Sequence, residues 1–303
     1  MKSKNDPMNY LLKSKHLTST LLGFVLLVFG GLSQALELPQ QDSVPGGIAI
    51  IKLNEAGDIA PKVNYKNRPV MVIKHQQAWH ALVGIPLAAK KGLHSISSKL
   101  AGKNHNYSFQ VSDKQYEAQH LTIKNKRKVN PNADDMARIR QETKEINAAL
   151  AHWGDIFYTK SLQLDLPLQG RLSSPFGLKR FFNEQPRKPH SGIDIAAPKG
   201  TPINAPASGR VILTGNFFFN GNSAFIDHGQ GLITMYSHMD SIMIEDGQLL
   251  KRGEQIGTIG MTGRVTGPHL HWSISMNNAR IDPRLMVPAL QQKAQTEPTP
   301  PSM

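Results

Sequence analysis

The sequence predicts a mainly β protein of two parts joined by a helix, and three observations carry that prediction. Between residues 44 and 126, short runs of β-branched and aromatic residues alternate with turn signals. Only the stretch 133–153 shows the three- and four-residue apolar spacing of a convincing helix. From 170 to 283 the chain is again strand-like, rich in glycine, and carries three short histidine-containing words. A length of 303 residues makes two domains the ordinary expectation, and a hydrophobic fraction of 39% is enough for real cores.

In the N-terminal part, Ile48-Ala49-Ile50-Ile51, Val70-Met71-Val72-Ile73, Trp79 to Pro86, Tyr107-Ser108-Phe109-Gln110-Val111 and His120-Leu121-Thr122-Ile123 read as strands. Turn residues such as Asn54-Glu55-Ala56-Gly57 separate them, so 44–126 is expected to be a small β-sandwich. His75, His80, His94, His105 and His120 share no spacing and read as surface or strand-face residues. In the helix at 133–153, Asn132 suits the cap, Asp134 and Asp135 suit the positive end, and Met136, Ile139, Ile146, Leu150 and Trp153 make one apolar stripe. The helix lies in a linker, 127–169. Glu297-Pro298-Thr299-Pro300-Pro301 gives 289–303 the composition of a disordered tail.

Residues 1–35 read as an export signal. Lys2, Lys4, Lys13 and Lys15 form a basic start, Leu17 to Leu32 an apolar run too short to span a bilayer, and Ser33-Gln34-Ala35 a small-residue cleavage site. Cleavage leaves no stable membrane anchor and a short linker, 36–43. It lowers the net charge from +13 by three, to +10. Such a charge speaks to partners rather than fold. Nucleic acid is set aside, because no recognition motif or aromatic–basic interleaving accompanies the charge. An anionic envelope polymer or membrane surface fits equally well. The chain has no cysteine, so no disulfide or lipid-modified cysteine is available and stability rests on packing and metal.

The chemistry concentrates in His190-Ser191-Gly192-Ile193-Asp194, Tyr236-Ser237-His238 and His269-Leu270-His271. These words hold one carboxylate and four histidines, enough for the three protein ligands of a catalytic zinc plus two further imidazoles. Gly267-Pro268 before the H-x-H reads as a turn into a strand. On a strand, His269 and His271 leave one face together while Leu270, Trp272 and Ile274 share the other. The glycine-flanked first word suits a loop and strand better than the helical pair of an H-E-x-x-H site.

These words, with Ser174-Pro175-Phe176-Gly177, Ile195-Ala196-Ala197-Pro198, Ala205-Pro206-Ala207-Ser208-Gly209-Arg210-Val211 and Thr262-Gly263-Arg264-Val265-Thr266-Gly267-Pro268, make the stretch resemble the lysostaphin/LytM-type zinc metallopeptidases. The resemblance covers about 115 residues. It implies a compact antiparallel β-sheet domain over 170–288 with a groove that holds one zinc ion per chain. It implies His190, Asp194 and His271 as zinc ligands, His238 and His269 as catalytic histidines beside the metal, and zinc-bound water as nucleophile. The region 44–126 resembles the immunoglobulin-like domain that precedes the peptidase in some exported members. The implied substrate is the peptide part of bacterial peptidoglycan, its stems and cross-links. The export signal, the basic mature chain and the lack of pentaglycine-targeting modules point to a periplasmic enzyme acting on D-amino-acid cross-links. A rival from another class is a non-catalytic relative that has lost ligands and activates other wall hydrolases; here all five positions are filled. The β domain is expected either to control access to the site or to bind the wall.

Three further features stand out. Asp227-His228-Gly229 reads as a strand end rather than a ligand pair. Arg264 can engage a substrate carboxylate through its planar donor fork or face solvent as a turn residue. Phe217-Phe218-Phe219 reads as a hydrophobic patch that can line the groove.

Overall fold

Two small antiparallel sheets form the N-terminal region. The computed structural model describes residues 37–159 and 161–291, so the export signal and positions 292–303 of the tail lie outside the described residues. Strands Ile48–Lys52, Ala78–Gly84 and Met71–His75 make one sheet, with Ala78–Gly84 in the centre. Strands Arg68–Pro69, Lys62–Tyr65, Gly92–Leu100 and Lys103–Val111 make the other. Ala49, Val72, Trp79, Ala81 and Val83 of the first meet Val63, Tyr65, Ile96 and Val111 of the second in one buried cluster, which makes a sandwich. The opposite face of the first sheet is buried too. Ile48, Met71, Ile73 and Leu82 belong to the same core as the peptidase-like region. A sheet covered on both sides needs continuous apolar runs, which is why Val70 to Ile73 and Ala81 to Ile85 do not alternate with polar residues.

The C-terminal region is one large antiparallel sheet. Its strands run in the order Leu249–Leu250, Gly209–Phe217, Gly221–Gly229, Leu232–Ile242, Leu270–Met276, Ile193–Ala196, Arg171–Ser174. Leu270, Trp272 and Ile274 are fully buried on one face, as the alternation requires. The hairpin from Leu270–Met276 to Ala279–Ile281 turns through Asn277 and Asn278, both at positive φ (45° and 61°), the left-handed pair that a two-residue hairpin favours. The Asn277 side chain then docks the sandwich. Its Oδ1 accepts from Gly84 N at 2.7 Å and its Nδ2 donates to Gly84 O at 3.0 Å. A Cβ at Gly84 would lie 2.6 Å from Met276 O, so only glycine allows that approach.

Several expected boundaries move. The strands Lys62–Tyr65 and Gly92–Leu100 had weak patterns; the latter is a serine-rich stretch that buries only Ile96 and Ser98. The last expected strand does not close the sandwich. Ala118–Leu121 pairs in parallel with Lys179–Phe182, because periodicity identifies a strand but not its partner. The helix spans Ala133–Leu150 and stops before Trp153. Asn132 caps it as expected, in a capping box with Asp135, which also grips Arg127 at 2.6 and 2.7 Å. Its stripe docks only at the end. Met136 is exposed, while Ala149 and Leu150 pack with Phe217, Phe225, Ile233 and Met235.

Segments expected as linkers are also anchored. Gln40 N donates to Leu285 O at 2.8 Å, and Leu162, Leu164 and Leu168 enter the main core. The first residues of the expected tail are anchored as well: Leu290 is buried and Gln291 Nε2 donates to Arg284 O at 2.8 Å.

His228 is a core residue and not a ligand. Its Nδ1–H donates to the Ser208 carbonyl at 2.8 Å, so Nε2 accepts from Thr234 Oγ1 at 2.8 Å, which leaves Thr234 to accept from Tyr236 OH at 2.9 Å. Burial holds this imidazole down to about 4. An unfolded histidine titrates near about 6.5, so the unfolded chain takes the proton first. Stability present above about 6.5 is therefore lost as pH falls toward about 4, by up to roughly 3 kcal/mol from this residue. Urea midpoints at pH 7 and pH 5 should fall less between the two for His228→Gln than for the wild type. An equal fall in both would contradict this account.

Candidate active site and metal centre

Asp194 and His271 face each other in register on neighbouring antiparallel strands. Their side chains leave the sheet on one face, while Ile193, Ile195, Leu270 and Trp272 fill the other. His190 reaches the same point from the preceding loop. His190 N donates to Leu178 O at 2.9 Å, and its carbonyl accepts from Gly177 N at 2.8 Å. Gly192 allows the loop to pass, since a Cβ there would lie 2.3 Å from Trp272 O.

The three donor atoms form a tight triangle. His190 Nε2 is 2.9 Å from Asp194 Oδ1 and 3.0 Å from His271 Nδ1, and His271 Nδ1 is 2.8 Å from Asp194 Oδ1. All three residues are buried, and among the described residues they are the group able to hold a metal ion. His190 Nδ1 lies 2.7 Å from the Pro175 carbonyl. A carbonyl only accepts, so Nδ1 carries the proton and a neutral ring leaves Nε2 bare. Burial pushes the Asp194 carboxyl up, but the adjoining imidazoles of His190 and His271 outweigh it and hold the group well below the usual carboxylate range. Burial pushes His271 down to about 4 against the pull of Asp194. Lone pairs and an anion thus converge where a cation satisfies all three. Ligand bonds of about 2.0–2.1 Å in a tetrahedron put donors roughly 3.3 Å apart, so this triangle fits one face of such a site.

The three side chains are themselves held. Arg180 Nη2 donates to Asp194 Oδ2 at 2.8 Å, leaving Oδ1 for the metal side, and Ser273 Oγ lies 3.0 Å from His271 Nε2. Sequence reasoning missed both. Arg180 sits in Lys179-Arg180-Phe181-Phe182 with no spacing relation to the histidine words. Ser273 follows His271 by two residues on a strand, so the alternation that predicted the His269 and His271 face could have found it.

His238 and His269 lie beside the trio, with ring centres 4.9 Å apart. His269 Nδ1–H donates to Gly267 O at 2.8 Å, and its Nε2 is 3.9 Å from Asp194 Oδ1. His238 Nδ1–H donates to Thr262 O at 2.8 Å. Both neutral rings therefore keep a bare Nε2. Burial above all, with the neighbouring imidazoles of His269 and His271 next, pushes His238 down to about 3.

The backbone at His238 explains how it reaches the site. Tyr236 pairs with Trp272 in the core and Ser237 pairs with His271. On a regular strand His238 would share the buried face of Tyr236. The ladder instead slips between Asn222 and Ala224, and His238 takes φ +67°. This bulge turns the imidazole to the metal face at the cost of a left-handed conformation.

The other singled-out residues lie elsewhere. His94 bonds Tyr65 OH at 2.6 Å and His120 stacks on Phe181 at 4.6 Å. Asp227 is buried and accepts from Gly229 N at 2.9 Å. Phe217 and Phe218 are buried, while Phe219 lies against Arg264.

Residues 188–283 match peptidase family M23, and residues 41–114 match the peptidase family M23 N-terminal domain. The chain is 39% identical over 146 residues to the peptidoglycan DD-endopeptidase ShyA of Vibrio cholerae, a match covering 45% of this chain and 34% of that protein. It is 40% identical over 113 residues to the DD-carboxypeptidase/endopeptidase Mpg of Neisseria meningitidis, covering 37% of this chain and 26% of that protein. The matches thus span about a third or less of these curated relatives' length. A solved structure of an M23 peptidase from Pseudomonas aeruginosa is 40% identical, with a TM-score of 0.69 over 81% of this chain and 95% of that one. The lysostaphin/LytM-type resemblance is borne out: the chain belongs to peptidase family M23.

Proposed function

We propose that the chain is an exported zinc-dependent endopeptidase that hydrolyses peptide cross-links of peptidoglycan in the periplasm. The carrying observation is the buried triangle of His190 Nε2, Asp194 Oδ1 and His271 Nδ1 with two further imidazoles beside it. An intact ligand set favours catalysis over the role of a non-catalytic activator. Relatives named as peptidoglycan DD-endopeptidases support the substrate, and the basic, then apolar, start of the sequence supports export.

A zinc ion held by the three ligands supplies, when bound, a Lewis acid that acidifies water and polarises the scissile carbonyl. The chain's own residues handle the protons. With Nδ1–H tied to a backbone carbonyl, each of His238 and His269 offers Nε2 as an acceptor while neutral and as a donor once protonated. One ring can take the proton released as water adds to the carbonyl and pass it to the leaving amine. The other, when protonated, can donate to the developing oxyanion. The carbonyl anchors fix both tautomers, so neither ring has to reorganise before the proton moves. Mass spectrometry of fragments released from purified peptidoglycan, with and without zinc, tests the reading; casein as a parallel substrate separates wall peptides from proteins in general.

His271→Ala should reduce metal content far below one ion per chain in elemental analysis, and full occupancy in that variant would sink the ligand assignment. His238→Ala and His269→Ala should each slow turnover about a hundredfold or more while metal content stays near that of the wild type. Loss of metal in either would show a ligand mistaken for a catalytic group. Because His238 sits at positive φ, His238→Gly should be more stable than His238→Ala by about 1 kcal/mol in urea unfolding. The reverse order would contradict the strained bulge.

A further inference from the structure

The loop leading into His269 carries a cation that the proton chemistry leaves idle. Arg264 N donates to Phe219 O at 2.9 Å, and two residues earlier the Thr262 carbonyl anchors His238. Arg264 therefore belongs to the wall that holds both imidazoles. Its guanidinium lies 4.6 Å from the ring centre of Phe182 and 4.3 Å from that of Phe219. Aromatic rings hold the group in place but give its five N–H donors no strong acceptor. Its side chain makes one long hydrogen bond, Nη1 to Lys128 O at 3.4 Å, and among the described residues no carboxylate pairs with it.

The neighbours have the same sign. Burial, then the charges of Arg180 and Arg187, push Arg264 down to about 10, still protonated at neutral pH. Arg187 is occupied by the carbonyls of Pro186 and Val129 and by Gln185 Oε1. Arg180 holds Asp194, and its Nε is buried without a partner. Three guanidinium groups thus lie within reach of one another's charge, and the one carboxylate bonded to any of them, Asp194, belongs to the metal-binding trio. A desolvated cation without a counter-ion is costly, and clusters of this kind mark places where an anion binds.

We propose that Arg264, backed by Arg180, is a subsite for a free carboxylate of the substrate peptide close to the scissile amide. The planar fork suits two parallel hydrogen bonds to a carboxylate and discriminates against the corresponding amide, which carries no charge. This rests on the peptidase reading and narrows its substrate to acidic peptides. The carboxylate can come from a side chain of the peptide or from its C-terminus.

The test measures binding to the whole chain by calorimetry. The probes are three cross-linked stem-peptide dimers with a reduced, uncleavable linkage at the scissile position: one with both carboxylates free, one amidated at the side chain, one amidated at the C-terminus. One amidation should weaken binding to the wild type about tenfold or more, which identifies the source. In Arg264→Gln the three dimers should bind within about threefold of one another. Equal binding of all three by the wild type, or an unchanged preference in Arg264→Gln, would overturn the subsite. If Arg264→Gln does not fold, Arg264→Lys keeps the charge without the fork. A reduced preference supports the subsite, and an unchanged one overturns it. Failure of the peptidase reading shows separately, as no release of fragments from cleavable dimers whatever their amidation.

Discussion

The register that sets Asp194 opposite His271 is the constraint on which the site depends. Strand side chains alternate, so a slip of one residue would send Asp194 or His271 into the core and bring Leu270 or Trp272 to the metal face. The register is enforced from behind, where Trp272 and Leu270 are completely buried and Tyr236 pairs with Trp272. The apolar face thus positions the polar one. Backbone carbonyls complete the arrangement: Pro175, Thr262 and Gly267 fix the Nδ1 protons of His190, His238 and His269, so that three rings keep bare Nε2 atoms without any rearrangement.

The N-terminal sandwich is part of the same structural argument. Its first sheet shares the main core, and Asn277 bonds Gly84 on both backbone groups. Ala118–Leu121 then adds a parallel pairing to Lys179–Phe182, the strand that carries Arg180. Through Arg180, the outer oxygen of Asp194 is tied to a strand that borders the sandwich connection. One strand pair and one charged hydrogen bond thus connect the segment after the sandwich to Asp194.

Much of this was legible because it rests on short-range rules. Period-two alternation predicted the buried Leu270, Trp272 and Ile274, and the Asn132 cap followed from its chemistry. The family likeness supplied the three-residue ligand set, which the structure brings together. What escaped needed partners that sequence spacing does not specify. The bulge at His238 depends on how Ser223 opposes two residues of the next strand, so the Tyr236-Ser237-His238 word alone would put His238 in the core. Arg180 reaches Asp194 from the hairpin that pairs Lys179–Phe182 with Gln185–Pro186, a placement that no spacing to the histidine words encodes. The helical stripe was overread, since Met136 is exposed and the apolar docking is confined to Ile146, Ala149 and Leu150, while Arg138 and Glu142 attach the middle of the helix through polar bonds to Asn216 and Phe218. The leucines at 162, 164, 166 and 168 alternate at every second residue, a signal that the linker reading passed over, and those at 162, 164 and 168 are buried.

The central claim is that two imidazoles and one carboxylate hold a metal ion beside two unligated histidines. X-ray absorption at the zinc edge on the purified whole chain, with each histidine of the site replaced in turn, tests it directly. The account predicts a low-coordinate centre with nitrogen and oxygen neighbours at about 2.0–2.1 Å. Two imidazole contributions should be seen in the wild type and in His238→Ala and His269→Ala, and fewer in His190→Ala and His271→Ala. A spectrum that loses an imidazole when His238 or His269 is replaced, or that is unchanged when His190 or His271 is, would contradict it.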